Sequence, residues 1–369
     1  MNKQLKIIAG PCSIESMDQC LSTAKQLSNN GITIFRGSAW KPRTKPGGFV
    51  GIGPIGLEIL QKVREETGMK VGCEVATVDQ CRLALLHEID YLWIGSRTAT
   101  DPFAVQQIAD NIKQFINGYG KEKKEYINNL TIYVKNPPCP DYNLWVGAIE
   151  RIKSAGVKNV GAIFRGFKVW PSTKYRNEPI WDIPLKLMNE FPTMEVICDP
   201  SHIAGDTQYI QEICDLAIEY GFDGLMVESH CNPSAALTDA KQQLTPTELD
   251  DVINNLPNVT NVPNDEVTKE DLALLNHCRA EITRGDRSIV NLLISRMHNA
   301  ILIGNVKRKM NEPILQKDRW KKVKQNVFKQ VKTTRLYEEN QIEFDYLINT
   351  IFDTIHAVSC KLQSKNLKV

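Results

Sequence analysis

The chain has 369 residues, 42% hydrophobic and 24% charged, with a formal net charge of +2. That length suits two domains, and the composition is that of an ordinary water-soluble chain. So small a net charge excludes a broad electrostatic case for nucleic acid, so any cationic site must be local. The start, Met1-Asn2-Lys3-Gln4, enters a strand-like run without an apolar signal segment. No apolar run approaches the roughly 18–20 residues expected of a membrane helix. Ten cysteines occur without a C-x-x-C pair or tight spacing. This argues against a zinc ribbon or disulfide framework and for reduced thiols in a cytoplasmic protein.

Strand and helix patterns alternate over residues 5 to 255. The expected strands are short, apolar and rich in β-branched or aromatic residues: Lys6–Ala9, Ile32–Arg36, Val71–Val75, Tyr91–Ile94, Thr131–Lys135, Asn159–Ile163, Glu195–Asp199 and Gly224–Val227. The expected helices are Met17–Asn29, Pro54–Glu66, Asp79–Glu88, Phe103–Ile116, Leu144–Ala155, Pro184–Glu190, Gln208–Tyr220 and Pro246–Asn254. Thr77 and Asp101-Pro102 supply start signals. Eight such pairs over about 250 residues predict an α/β chain, a (β/α)8 TIM barrel. An open doubly wound sheet would need a Gly-rich turn after its first strand, and Ala9-Gly10-Pro11-Cys12 is not G-x-G-x-x-G. The charged run Lys121–Glu125, after Asn117-Gly118-Tyr119-Gly120, reads as an exposed, solvated excursion.

The barrel is expected to span residues 1–256. Residues 257–265, with Pro257, Pro263 and three asparagines nearby, read as a linker. Residues 266–369 show helical spacing only, in a long first helix and two more near Lys317–Thr333 and Glu338–Lys365. Gly285-Asp286 inside the first of these marks a candidate kink, since glycine there costs about 1 kcal/mol relative to alanine.

In such a barrel, function gathers at the C-terminal strand ends. Phe35-Arg36-Gly37-Ser38-Ala39-Trp40-Lys41-Pro42-Arg43-Thr44 places Arg36, Lys41 and Arg43 in a stiff loop without an acid. Gly95-Ser96-Arg97-Thr98, Lys135-Asn136-Pro137 and Arg165-Gly166 close three other strands. Arg36, Lys41, Arg97, Lys135 and Arg165 form an expected ring of positive charge, suited to a small substrate with phosphate and carboxylate groups. Cys12, His202, Glu228 and Asp239 offer sulfur, nitrogen and oxygen donors, a set suited to a borderline divalent metal. Taken singly, each residue of that donor set is more readily read as core filler, a satisfied histidine or a loop cap.

Ala9-Gly10-Pro11-Cys12-Ser13, Lys41-Pro42-Arg43-Thr44, Gly95-Ser96-Arg97-Thr98, Lys135-Asn136-Pro137 and Asp199-Pro200-Ser201-His202 resemble the type I DAHP synthases, in a short form without an N-terminal regulatory domain. The resemblance covers residues 5 to about 255. It implies condensation of phosphoenolpyruvate with erythrose 4-phosphate, the first step of aromatic biosynthesis. The related KDO 8-phosphate synthases carry a Lys-Ala-Asn-Arg-type motif where this chain has Lys41-Pro42-Arg43-Thr44, which favours the tetrose phosphate. Carried over residue by residue, Arg97, Lys135 and Arg165, with Arg36 and Lys41, would hold phosphoenolpyruvate, and Ser96 joins this substrate-binding set. Pro42, Arg43 and Thr44 would serve the sugar phosphate. Cys12, His202, Glu228 and Asp239 would bind a divalent metal ion, Mn2+ first, with Co2+, Zn2+ or Fe2+ as alternatives. Lys41 would be the catalytic proton donor.

Residues 266 to 369 resemble the all-helical chorismate mutases. Arg279, Arg296, Lys307, Arg319, Ser359 and Gln363 match that family's catalytic positions. Arg296 and Lys307 lie eleven residues apart and so share a helical face, as do Ser359 and Gln363 at i,i+4. Arg279 lies on another face; in the family it reaches the partner's site, which implies a homodimer through the helical domain. Where an acid often follows the arginine at position 319, this chain has Trp320. The resemblance implies a bifunctional enzyme acting on chorismate as well, with prephenate as feedback effector and with neither nucleic acid nor membrane as partner. The competing reading makes the tail only a dimerisation and effector-binding module.

Overall fold

The computed structural model describes residues 5–43, 46–170, 173–257, 269–332, 334, 337, 338 and 340–365. Eight parallel strands close into a barrel in chain order: β1 (Lys6–Gly10), β2 (Ile34–Arg36), β3 (Lys70–Val75), β4 (Tyr91–Ile94), β5 (Thr131–Lys135), β6 (Asn159–Phe164), β7 (Val196–Cys198) and β8 (Gly224–Glu228). Closure comes from five consecutive pairs between β1 and β8, from Lys6 opposite Gly224 to Gly10 opposite Glu228. Around it run α1 (Met17–Asn29), α2 (Ile55–Thr67), α3 (Val78–Leu86), α4 (Pro102–Tyr119), α5 (Lys124–Asn129), α6 (Tyr142–Ser154), α7 (Asp182–Glu190), α8 (Pro200–Ala204), α9 (Ile210–Glu219) and α10 (Pro246–Asn254).

Alternation along the strands makes two cores. Ile8, Tyr91, Trp93, Tyr133, Ile163, Ile197 and Met226 fill the barrel, and a larger apolar layer lies between sheet and helices. Gly72 on β3 leaves room for a large interior ring: a Cβ there would come within 2.3 Å of Tyr91. The strands direct their C-terminal ends to one mouth of the barrel, the end where the expected site residues lie.

Several expectations shift. The expected strand Glu195–Asp199 shortens to β7 because Asp199 turns out of the sheet and caps α8, its side chain accepting from His202 N. The charged run Lys121–Glu125 is only partly solvated: Lys123 pairs with Glu88, and the neighbouring Tyr126 hydroxyl donates to the Ile89 carbonyl at 3.0 Å. Gly285 does not interrupt the helix, since α11 (Lys269–Met310) is continuous for 42 residues. Most of the expected linker, and Thr44, lie outside the described residues.

The chain divides into two compact units, Met1–Ala280 and Glu281–Val369. The first turns of α11 belong to the first unit, where Asn276 Nδ2 donates to the Tyr220 carbonyl at 2.7 Å. The second unit comprises the rest of α11 with α12 (Lys317–Val331) and α13 (Gln341–Ser364). Gly304 sets the approach of α11 to α13: a Cβ there would lie 2.6 Å from the Gln363 carbonyl oxygen. One window of α11, mean hydropathy 1.2, is long and apolar enough to cross a membrane by length and composition alone. This departs from the expectation that no run comes near that length. Yet α11 carries Arg296, which donates to Ser359 of α13, a polar pairing that suits a helix bundle.

Candidate active sites

A cavity of about 540 Å³ opens at the C-terminal mouth of the barrel. Lys41, Pro42 and Arg43 of the β2–α2 loop line it, with Ser96 and Arg97 from the end of β4. Lys135 closes β5 and Arg165 follows β6; both reach the cavity, as do His202 and Asp239. Arg36, Cys12 and Glu228 are buried beneath these residues. The barrel thus gathers every described residue expected at this site.

The cations are held individually. Arg36 Nη2 donates to Glu228 Oε1 at 3.2 Å, while its Nε and Nη1 are buried without partners. Lys135 Nζ donates to Asp199 Oδ2 at 2.6 Å. The face of Trp93 lies under both, 5.2 Å from the Arg36 guanidinium carbon and 5.7 Å from Lys135 Nζ. Arg165 Nη1 donates to Asn177 Oδ1 at 3.0 Å, and its backbone nitrogen donates to Asn136 Oδ1 at 2.7 Å. Burial pulls the Arg165 guanidinium down to about 10, with Asp199 opposing, so it stays charged near neutral pH. The two orphaned nitrogens of Arg36 are donors in need of an anion.

The four candidate ligands stand as two pairs. Cys12 Sγ donates to Asp239 Oδ2 at 3.2 Å, and His202 Nε2 is 3.7 Å from Glu228 Oε1. Lys41 Nζ lies against the first pair, 2.9 Å from Cys12 Sγ and 3.9 Å from Asp239 Oδ2. Burial pushes the Cys12 thiol up to about 12, with Glu228 adding to the rise and Lys41 opposing it. Burial alone would lower the Lys41 ammonium, but Cys12, Glu228, Glu74 and Asp239 outweigh that and raise it. Burial and the nearby Lys135 lower His202 against the pull of Asp199, so the ring is neutral near pH 7. With Asp199 accepting from Nδ1 at 2.9–3.0 Å, the Nε2 lone pair is turned toward Glu228, the arrangement of a metal-ligating histidine. Among the described residues no three His, Cys, Asp or Glu side chains already form a closed ion cage. The donors are nonetheless of the right kind, and an ammonium already lies against one pair, so the set fits a small divalent cation.

A second cavity, about 330 Å³, lies within the helical unit. Arg296 and Lys307 reach it from α11, Arg319 from α12, and Ser359 and Gln363 from α13. No acid lines it among the described residues. Arg296 Nη1 donates to Ser359 Oγ at 2.5 Å, and Lys307 Nζ to the Ile314 carbonyl at 2.8 Å. Gln363 Oε1 is buried with no partner. Trp320 stacks on His356 at 4.0 Å between centroids and forms part of the wall. Arg279 is not among the residues lining this cavity.

Residues 1–118 and 127–262 match the DAHP synthetase I family. The chain belongs to that family. Residues 278–364 match the chorismate mutase type II family. Phospho-2-dehydro-3-deoxyheptonate aldolase of Thermotoga maritima is 28% identical over 243 residues, which cover 66% of each chain. A 2-dehydro-3-deoxyphosphooctonate aldolase of Campylobacter jejuni subsp. doylei is 29% identical over 294 residues, 70% of this chain and 99% of that one. The crystal structure of the Thermotoga maritima DAHP synthase matches with a TM-score of 0.58 at 25% identity, covering 69% of this chain and 68% of that one. The chain thus spans about two thirds of the length of the Thermotoga protein.

For this DAHP synthetase I barrel, sequence reasoning missed Glu74, Trp93, Asn177 and Arg176 as parts of the site and named Asn136 only within the Lys135-Asn136-Pro137 motif, without a role. Glu74 and Trp93 sit inside strands, where they read as core; an acid within the apolar run of β3 was a usable signal. Arg176 lies in the irregular stretch between β6 and α7, which no periodicity marks.

Proposed function

We propose that the barrel condenses phosphoenolpyruvate with erythrose 4-phosphate and one water, which adds at C2 of the former enol ether as phosphate leaves, to give DAHP and phosphate, with a divalent metal ion, Mn2+ first, held by Cys12, His202, Glu228 and Asp239. The observation that carries this reading is the gathering of Arg36, Lys41, Arg97, Lys135 and Arg165 around one mouth beside a sulfur, nitrogen and oxygen donor set. Pro42-Arg43 after Lys41, where the octulosonate synthases carry Ala-Asn-Arg, favours the tetrose phosphate. When bound, the ion supplies Lewis-acid polarisation of the aldehyde. The chain's own groups do the rest. Arg36, Arg97, Lys135 and Arg165 bind phosphate and carboxylate oxygens and stabilise the charge that moves during addition and phosphate departure. Lys41, protonated and beside the donor set, gives its proton to the alkoxide oxygen formed at the former aldehyde carbon. DAHP formation by the metal-stripped chain, restored metal by metal, tests this. A chain equally active when stripped contradicts it.

The helical unit is read as a mutase rearranging chorismate to prephenate. Arg296, Lys307 and Arg319 bind a dicarboxylate in a folded conformation, and Gln363 faces the ether oxygen. Arg279 serves the partner's site in a homodimer; the exposed Ile282, Ile289 and Leu292 on α11 (56–70% exposed) support such pairing. Prephenate bound in this unit restrains the barrel's activity, and a chain truncated near Pro263 loses that inhibition. The stacked Trp320, where an acid is common, favours a second reading in which the unit binds effector without turnover. Chorismate turnover by the full chain decides between them.

A further inference from the structure

Each carboxylate of the proposed ion set has one oxygen held from behind and the other turned inward. Asp239 Oδ1 accepts from Arg176 Nη1 at 3.1 Å, which leaves Oδ2 facing the Cys12 sulfur at 3.2 Å. Glu228 Oε2 accepts from Gln242 Nε2 at 2.7 Å, while Oε1, which also accepts from Arg36 Nη2 at 3.2 Å, faces His202 Nε2 at 3.7 Å. The two holds meet at one atom, because Arg176 Nη1 also donates to Gln242 Oε1 at 2.5 Å. That nitrogen carries two hydrogens, enough for both acceptors. Its second bond also settles which way the Gln242 amide points. With the oxygen claimed by a guanidinium, the NH2 must turn to Glu228. Without Arg176 the Gln242 amide loses its anchor on the oxygen side and is held by Glu228 alone.

Arg176 is itself firmly placed. Its backbone nitrogen donates to the Ala204 carbonyl at 3.1 Å, and Asn177 N donates to Ile203 at the same distance. Asn177 Nδ2 donates to the His202 carbonyl at 2.5 Å. Gly205, at φ +73°, passes so close that a Cβ there would come within 2.3 Å of the Arg176 Cβ. The stretch carrying Arg176 is therefore fastened to α8, which carries His202. On the other side, Asp239 sits at φ +46°, ψ +38°, a left-handed conformation unfavourable for a residue with a side chain. The turn that follows also holds Cys12, whose backbone nitrogen donates to Gln243 Oε1 at 2.9 Å. All four donors are thus tied to a scaffold with Arg176 at its junction.

We propose that Arg176 is a positioning residue for the divalent ion, orienting Asp239 directly and Glu228 through Gln242. This rests on the assignment of Cys12, His202, Glu228 and Asp239 as the ion site. The same guanidinium lines the cavity beside Arg165, so a substrate contact is the rival role, and the test must separate the two.

The measurement is Mn2+ binding to the chelator-stripped full chain without substrates, by equilibrium dialysis, for the parent and for Arg176→Met, Arg176→Lys, Gln242→Met and the Arg176→Met/Gln242→Met double variant. The Arg176 side chain is about one-third exposed, so its replacement leaves the packed core intact. Loss of a supporting contact of this kind weakens metal binding by about 10–100-fold, and that is the expected effect of Arg176→Met. Arg176→Lys recovers part of it. The double variant binds more weakly than the parent by less than the product of the two single effects, because the two residues act partly in series. If the parent binds Mn2+ and Arg176→Met binds it with the parental Kd, positioning is overturned while the ion site stands. Unchanged Mn2+ affinity with weakened phosphoenolpyruvate binding assigns Arg176 to substrate and equally overturns it. If the parent binds no Mn2+, or Cys12→Ala binds as the parent does, the ion site fails and the proposal with it.

Discussion

The two cavities are both cationic and are built on opposite principles. In the barrel, the buried cations described have carboxylate or amide partners: Arg36 with Glu228, Lys135 with Asp199, Arg165 with Asn177. In the helical unit no acid lines the cavity among the described residues, and Arg296 and Lys307 are held by a hydroxyl and a carbonyl. The difference follows from burial. A fully enclosed charge needs a partner before any substrate arrives. A shallower site tolerates cations that wait for the substrate's own carboxylates. On the proposed reading it also follows from chemistry: the barrel would need donors for an ion and a proton source, whereas a rearrangement would need only shape and positive charge.

The largest effect that would sharpen this contrast is loss of the proposed proton donor. Lys41→Met is expected to lower DAHP formation by about 10²–10⁴-fold and to leave chorismate turnover at the parental rate. A drop in both activities would break the separation of the sites. Next, Arg296→Ala or Lys307→Ala is expected to lower chorismate turnover by about 10²–10³-fold, the usual loss for one electrostatic contact to the transition state. DAHP formation without prephenate should be unaffected, and a double variant that still rearranges chorismate normally removes the assignment.

Packing gives a smaller effect. Gly304→Ala must push α13 away from α11 at Gln363. The cost is about 1–3 kcal/mol, read as a lower unfolding midpoint of the helical unit together with a raised KM for chorismate. A midpoint and KM equal to the parent's would mean that the helix spacing is not set there. The smallest effect is in pH. Burial, helped by Arg296 and opposed by Asp353, lowers His356 from the ordinary imidazole value of 6.5. A base with a lowered folded-state pKa binds fewer protons when folded. Stability is therefore complete above about pH 6.5 and falls as pH drops through that value. A modest loss of midpoint between pH 7 and 5.5, absent in His356→Gln, is expected; equal loss in both chains would assign it elsewhere.

How much of each site was readable follows from the kind of spacing that builds it. In the barrel, short apolar runs marked the strands, so Arg36, Arg97, Lys135, Arg165 and His202 could be located at or just after the strand ends. In the helical unit, Arg296, Lys307, Ser359 and Gln363 were named by the resemblance to the chorismate mutases, and helical spacing agreed with that choice by putting Arg296 with Lys307 and Ser359 with Gln363 on shared faces. Arg176 obeys neither pattern. Its position depends on pairing with residues 203 and 204, nearly thirty positions later. Gly304 reads as an ordinary helix glycine until α13 is seen against it. The shortening of β7 had a local cause that could be read, since Asp199-Pro200 is a helix start. The paired state of the donors could not be read, because it depends on where the Lys41 ammonium comes to rest.

The central claim is that one chain carries two chemically independent sites, one served by a divalent ion and one built only from its own cations. Both activities should be followed in a single preparation of the full chain during chelation and metal return. The account predicts that a strong chelator abolishes DAHP formation, that Mn2+ restores it, and that chorismate turnover stays constant throughout. DAHP formation that persists in the stripped chain, or chorismate turnover that falls and recovers with the metal, would contradict it.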